Sequence, residues 1–240
     1  MLVEVCCNSL ESAINAQKGG ADRIELCVEL GVGGITPSHG MIKLVRKALT
    51  IPIHVLIRPR SGHFTYSESE FEVMQADIQF CKQTGVEGIV SGVLNSNCSL
   101  DVERTQRLAE WAKPMSFTFH RAFDWVPDQR NALKQLEDLG VQTVLTSGKE
   151  ASAESGLDTL KELNKIAEQV KIMPGGGVDI NNCNLFKNVG FQAIHLSGSL
   201  FKNVIDTDGL LSMNSDKHLI HDKVALTSAD IIFNVVQSVK

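Results

Sequence analysis

Nothing in the 240-residue chain is long and apolar enough to cross a bilayer, since even Ile51 to Ile57 is broken by Pro52 and His54, where a span needs roughly 18 to 20 apolar residues. Positive charge is not in excess either. With 23 Lys+Arg against 28 Asp+Glu, the net charge is -5 and the pI near 5.8, which removes the attraction that phosphate backbones and anionic lipids exert on basic proteins. No nucleic-acid and no membrane partner is expected. The start, Met1-Leu2-Val3-Glu4-Val5, has no basic n-region and no apolar h-region, so a cytoplasmic location is expected. Cysteine is sparse: Cys6, Cys7, Cys27, Cys81, Cys98 and Cys183 include no Cys-x-x-Cys, so zinc-ribbon and thioredoxin-like readings lose their support and reduced thiols are the default. Methionines form no clusters of the copper-transport type. The segment after the first strand-like run is Cys6-Cys7-Asn8-Ser9-Leu10, not the Gly-x-Gly-x-x-Gly of a dinucleotide-binding fold.

What is present is a packed-core composition, 43% apolar and 21% charged, carrying a recurring junction. A helical pattern stops at Gly and an apolar strand begins a few residues later, at Gly20–Ile24, Gly85–Ile89, Gly140–Val144 and Gly190–Ile194, each Gly standing where a left-handed helix cap is wanted. Further strand-like runs, Leu2 to Cys7, Ile53 to Arg58, Met115 to Phe119 and Lys171 to Pro174, alternate with these. Segments between them show helical apolar spacing, as in Phe71, Met74, Ile78 and Cys81. Eight strands alternating with helices in a chain of this length predict a single-domain TIM (β/α)8 barrel over residues 1–240. No linker divides it. The region after Ser199 reads as a decorated last connection ending in a helix from Ser228 to Val239. The long segments Val28 to His39 and Arg58 to Ser69 follow strands two and three, at the C-terminal face where barrels build their sites.

Alternation along each strand assigns one set of side chains to the lumen: Glu4 and Cys6, Glu25 and Cys27, His54 and Arg58, Thr118 and His120, Thr146, and His195 and Ser197. So many polar groups inside a barrel are costly unless paired or functional. A salt network of Glu4 or Glu25 with Arg58 is the structural alternative. As a site, the carboxylates and imidazoles Glu4, Glu25, His120 and His195 are acid/base candidates. The twin segments Glu4-Val5-Cys6 and Glu25-Leu26-Cys27 would set Cys6 beside Cys27, a pair of soft ligands for Cu(I), with His54 or a methionine as a third. A buried thiol also serves simply as a small apolar group.

Two glycine- and serine-rich strand ends, Gly175-Gly176-Gly177 and Ser197-Gly198-Ser199, offer bare backbone N–H groups where many barrels hold phosphate. Arg58 and Arg60, in a loop after strand three, are suited to an acidic ligand. The anion-binding candidates are therefore Arg58, Arg60, Gly175, Gly176, Ser197 and Ser199. Asp124, four residues beyond His120, suits either acid/base work or local hydrogen bonding.

Taken together, Glu4-Val5-Cys6-Cys7, Gly20 to Cys27, Gly34-Ile35-Thr36-Pro37-Ser38, Ile57-Arg58-Pro59-Arg60, Thr118 to Asp124 and Leu145-Thr146-Ser147-Gly148 resemble the CutC family of copper homeostasis proteins along nearly the whole chain. The resemblance implies a cytoplasmic TIM barrel assigned to copper homeostasis, with Cys6, Cys7 and Cys27 in the positions of the proposed Cu(I) ligands. Two functions follow as expectations: a Cu(I)-binding protein, or a barrel enzyme acting on a small anionic, phosphorylated or sugar-like substrate. The partner expected is a small ligand or a metal ion, with homo-oligomerisation left open.

Overall fold

The computed structural model describes residues 1–203, 211 and 223–240. Eight parallel strands form the sheet: β1 (Leu2–Cys7), β2 (Arg23–Leu26), β3 (Ile53–Leu56), β4 (Gly88–Ser91), β5 (Ser116–Phe119), β6 (Thr143–Thr146), β7 (Lys171–Pro174) and β8 (Ala193–Leu196). They are ordered β7-β6-β5-β4-β3-β2-β1-β8, and a bridge between Gly175 and His195 joins the two ends into a barrel. The outer layer consists of α1 (Leu10–Lys18), α2 (His39–Ala48), α3 (Glu68–Thr84), α4 (Val102–Ala112), α5 (Gln129–Asp138), α6 (Leu157–Ile166), α7 (Cys183–Val189) and α8 (Ala229–Val239). The expected (β/α)8 barrel is therefore what the chain forms.

Local sequence explains where these helices begin and end. Ser9, Ser38, Ser67, Asp101, Asp128 and Ser228 each accept a backbone N–H of their helix's first turn, satisfying donors that have no partner inside the helix. At the far ends, Gly20, Gly85, Gly140 and Gly190 all have positive φ, between 73° and 94°, so the repeated junction read from the sequence is a repeated left-handed exit.

Apolar side chains divide between the two faces of the sheet. Val3, Val5, Ile24, Leu26, Ile53, Val55 and Val144 join the large core between strands and helices. Leu2, Leu145, Met173 and Ala193 fill one part of the lumen, and Cys6, Cys27, Leu56 and Val90 another. Because Leu145 faces inward, its neighbour Thr146 faces the other way, which corrects the expected lumen position of Thr146. Its hydroxyl donates to Asp124 instead.

After β8 the chain forms an antiparallel hairpin, β9 (Ser199–Asn203) with β10 (Lys223–Thr227). It is pinned to α1, where Asn8 and Asn15 donate to the carbonyls of Ala225 and Thr227 and the buried Ser12 hydroxyl accepts the Thr227 N–H. The rest of the expected last connection falls on residues outside the described ones, and α8 follows the hairpin. Among the described residues no helix is long and apolar enough to cross a membrane.

One strand makes room for the lumen's imidazoles by carrying no side chain. A Cβ on Gly88 would lie 2.5 Å from the His54 ring, and one on Gly92 would lie 2.7 Å from Nδ1 of His120. Gly88→Ala should therefore destabilise the fold by about 1–3 kcal/mol, the usual cost of overpacking. In urea unfolding, Gly88→Ala combined with His54→Ala should lose less than the two single changes added together. Additive losses would refute the steric account.

Candidate functional site

Glu4 is the centre of the lumen. It is fully buried, accepts a hydrogen bond from Arg23 Nε through Oε2, pairs with His195 Nδ1 at 2.8 Å through Oε1, and lies 3.9 Å from His54 Nδ1. The register produces this directly, since Glu4 stands opposite Arg23 on β2 and opposite His195 on β8. The salt network expected with Arg58 is thus replaced by one with Arg23. That residue was legible by parity, two positions before Glu25, but had not been assigned to the lumen.

One register step further along β1, Cys6 stands opposite Glu25. Its Sγ is 3.3 Å from Cys27 Sγ and 3.8 Å from Glu25 Oε1. The expected pairing of Cys6 with Cys27 is present, and Glu25 is the third donor beside them, all three buried. His54 does not join: its ring is held over Gly88. Nor does Met173, whose sulfur accepts from Arg23. Cys7 faces the opposite side of β1, packed among the apolar residues beneath the helices, with its thiol donating to the Val5 carbonyl. Its expected place among the ligands is corrected by strand alternation. Glu4, Glu25 and His195 bring a second set of donor atoms within 4.8 Å of one another.

This environment drives the two carboxylates apart. Burial raises Glu4, but the Arg23 guanidinium and the His195 ring outweigh it and bring the group down to about 2. Burial also raises Glu25, and with Glu4 nearby His195 only partly offsets it, leaving Glu25 at about 7. His195 is raised well above an ordinary imidazole, since the Cys6 thiol and both carboxylates outweigh its burial. The hydrogen bond to Cys27, burial and the facing Glu25 push the Cys6 thiol well above its usual range. His54, desolvated and beside Arg23, falls to about 4. The cluster thus pairs one permanently ionised carboxylate with one that titrates near neutrality, next to two thiols.

The other side of the mouth is organised differently. His120 accepts the Ala122 N–H through Nδ1, leaving its buried Nε2 with no partner, and burial and Arg58 lower it to about 3. Phe64 covers it, with ring centroids 4.9 Å apart, and also stacks on the Arg58 guanidinium. Arg58 and Arg60 do not present themselves to an anion. Arg58 donates to the carbonyls of Val32, Gly34 and Gly62. Arg60 donates to Glu70 and to the carbonyls of Ser61, His63 and Thr65. The long loops contain carbonyls that no ladder satisfies, and the two guanidiniums satisfy them.

Gly175 is a close-packing position at the barrel seam, where a Cβ would lie 2.4 Å from Leu145. The Ser197 carbonyl accepts the Thr227 hydroxyl, and the buried Ser199 Oγ has no partner among the described residues. Asp124 does not touch His120. It accepts from the Thr146 and Ser147 hydroxyls, from the Ser147 and Lys149 N–H groups, and from Arg121 Nε.

The pH response of Glu25 gives a test of this electrostatic arrangement. Its folded pKa of about 7 lies above the ordinary carboxylate value, so between roughly pH 4.5 and 7 the folded state binds more protons than the unfolded one. Stability therefore falls as pH rises through that window. Glu25→Gln removes the liability, and its stability relative to the parent should improve from pH 5 to pH 8 in denaturant titrations. A difference independent of pH would refute it. Glu4 has the opposite sign: its contribution is present above the ordinary carboxylate pKa and is lost as pH falls toward about 2.

The CutC family model matches residues 1–200. Proteins called CutC from Salmonella typhimurium and Salmonella newport are 44% and 45% identical over 199 residues, 83% of this chain and 80% of theirs. The crystal structure of CutC from Streptococcus agalactiae, described there as a copper homeostasis protein, is 32% identical, with a TM-score of 0.78, and the match covers 82% of this chain and 98% of that one. A thiamine phosphate pyrophosphorylase from Pyrococcus furiosus, 12% identical with a TM-score of 0.62 over 99% of this chain and 95% of its own, shares the fold alone. By family model, by curated relatives and by solved structure, the chain belongs to the CutC family.

Proposed function

We propose that the protein acts in cytosolic copper homeostasis by binding Cu(I) in the barrel lumen through the thiolates of Cys6 and Cys27. The observation that carries this reading is the 3.3 Å approach of two buried sulfurs with the Glu25 carboxylate 3.8 Å from one of them. Soft thiolates favour Cu(I) over harder cations. A monovalent cation would offset the mutual repulsion of groups that hold the Cys6 proton so firmly when no ion is bound. Glu25 supplies charge rather than softness, and the Glu4–Arg23–His195 network beneath fixes its surroundings. The name of the Streptococcus agalactiae relative points the same way.

A second reading, a lumen enzyme acting on a small anionic substrate, is supported by the opposed carboxylates. Environments that hold one near 2 and its neighbour near 7 are how barrels separate acid from base roles. In that reading Glu25 and His195 carry protons and Glu4 positions His195. The buried His120 stands on the far side of the mouth.

Titration of the reduced protein with Cu(I) against a competing chelator separates the two. Cys6→Ser combined with Cys27→Ser should weaken binding by more than the roughly 10- to 100-fold lost when only an outer neighbour of a ligand is changed, whereas Cys7→Ser should leave it unaltered. Affinity should also fall with pH, because the thiols must lose protons to bind. Equal affinity in the double variant and the parent would end the copper assignment and leave the enzyme reading standing.

A further inference from the structure

Two motifs that the copper reading does not use, Phe119 to Asp124 after β5 and Leu145 to Gly148 after β6, interlock at the barrel mouth. Asp124 is nearly buried. Its Oδ1 takes the Thr146 hydroxyl and the N–H groups of Ser147 and Lys149, and its Oδ2 takes the Ser147 hydroxyl and Arg121 Nε. Arg121 Nη2 also donates to Ser147 Oγ at 2.7 Å. The guanidinium is thereby clamped along one edge while its side chain stays 43% exposed, and Nη1 has no partner among the described residues.

That free edge lies against the glycine run after β7. A Cβ on Gly176 would come within 3.2 Å of Arg121 Nη1, so the guanidinium packs closely on the bare backbone there. Gly176 and Gly177 have φ of 107° and 71°, and the Gly177 N–H has no acceptor among the described residues. A fixed guanidinium edge beside an open backbone donor, at the ends of β5 and β7, supplies parts from which phosphate sites at this face of a barrel are made.

We propose that this corner of the mouth is a phosphate-binding site, with Arg121 as its cation and the Gly177 N–H as a hydrogen-bond donor. It takes the phosphate group of a small molecule or the free ion. Arg121 rather than Arg58 or Arg60 supplies the positive charge, since the Nη groups of those two hold loop carbonyls and Arg60 Nε holds Glu70. The site does not depend on copper binding.

Thermal unfolding of the full-length protein, in inorganic phosphate against chloride of matched ionic strength, tests it. At about ten times the dissociation constant the parent should melt roughly 3–6 °C higher. Arg121→Met should abolish the shift while leaving Cu(I) affinity unchanged. Calorimetric titration provides a second readout if that variant does not fold: Arg121→Lys should weaken phosphate binding about tenfold. Tighter binding of ribose 5-phosphate than of phosphate identifies the ligand as an ester, and equal binding identifies it as the ion. No shift in the parent, an equal shift in Arg121→Met, or an undiminished titration for Arg121→Lys would overturn the proposal.

Discussion

The interior of this barrel is organised around a carboxylate that has no access to water. Glu4 is fully buried, and an ionised group in that position is tolerable only when it is paired and its lone pairs are filled. Arg23 from β2 and His195 from β8 meet that demand from the two strands that flank β1. The same contact therefore stabilises a charge and fixes the register on both sides, since a slip of one residue would turn either partner out of the lumen. It also determines what lies above. With Glu4 ionised, Glu25 can ionise only against a like charge, and the Cys6 thiol faces a carboxylate that shares a proton-rich neighbourhood with His195.

The architecture was largely legible because it rests on local rules. Strand alternation assigned Val3, Val5, Ile24 and Leu26 to the outer face, and the helix-ending glycines marked four of the strand starts before any coordinates. The same alternation brought Cys6 and Cys27 together and set Cys7 apart. What local rules could not supply was the identity of partners. Glu4 could pair with any cation on the lumen side, and only the stagger between β1 and β2, which places Arg23 rather than Arg58 opposite it, decides the matter. Arg58 shows the same dependence on partners. A cation in a long loop looks like a ligand donor, but the carbonyls of Val32, Gly34 and Gly62, invisible in any sequence motif, had the stronger claim. Thr146 failed on phase, because Leu145 supplies the lumen side chain in β6 and the parity there is shifted by one.

The polar lumen also explains an otherwise costly feature of β4. Strand interiors are weakened by glycine, yet Gly88 lies within the strand and Gly92 just beyond it, where side chains would strike His54 and His120. The two imidazoles are held neutral by burial and neighbouring cations, at about 4 and about 3. They act as bulky polar packing in the lumen, His54 against the Glu4–Arg23 pair and His120 under Phe64. Phe64 covers the His120 side of the mouth, and its ring also stacks on Arg58.

Two arginines make a functional contrast. Arg23 and Arg121 each bind a nearly or fully buried carboxylate, Glu4 in one case and Asp124 in the other. Arg23 is 13% exposed, with its remaining contact a methionine sulfur, so its charge is committed to the lumen and it serves as structure. Arg121 is 43% exposed, and its carboxylate is already satisfied by the Thr146 hydroxyl and two backbone N–H groups. Asp124 therefore has less need of the guanidinium than Glu4 has. An arginine anchored along one edge to a partner satisfied elsewhere retains both fixed orientation and unneutralised donors, the combination that binding an anion requires. The same residue pair, carboxylate with guanidinium, thus supports the barrel on one side and leaves a binding face open on the other, and the difference lies in how many other donors reach the carboxylate.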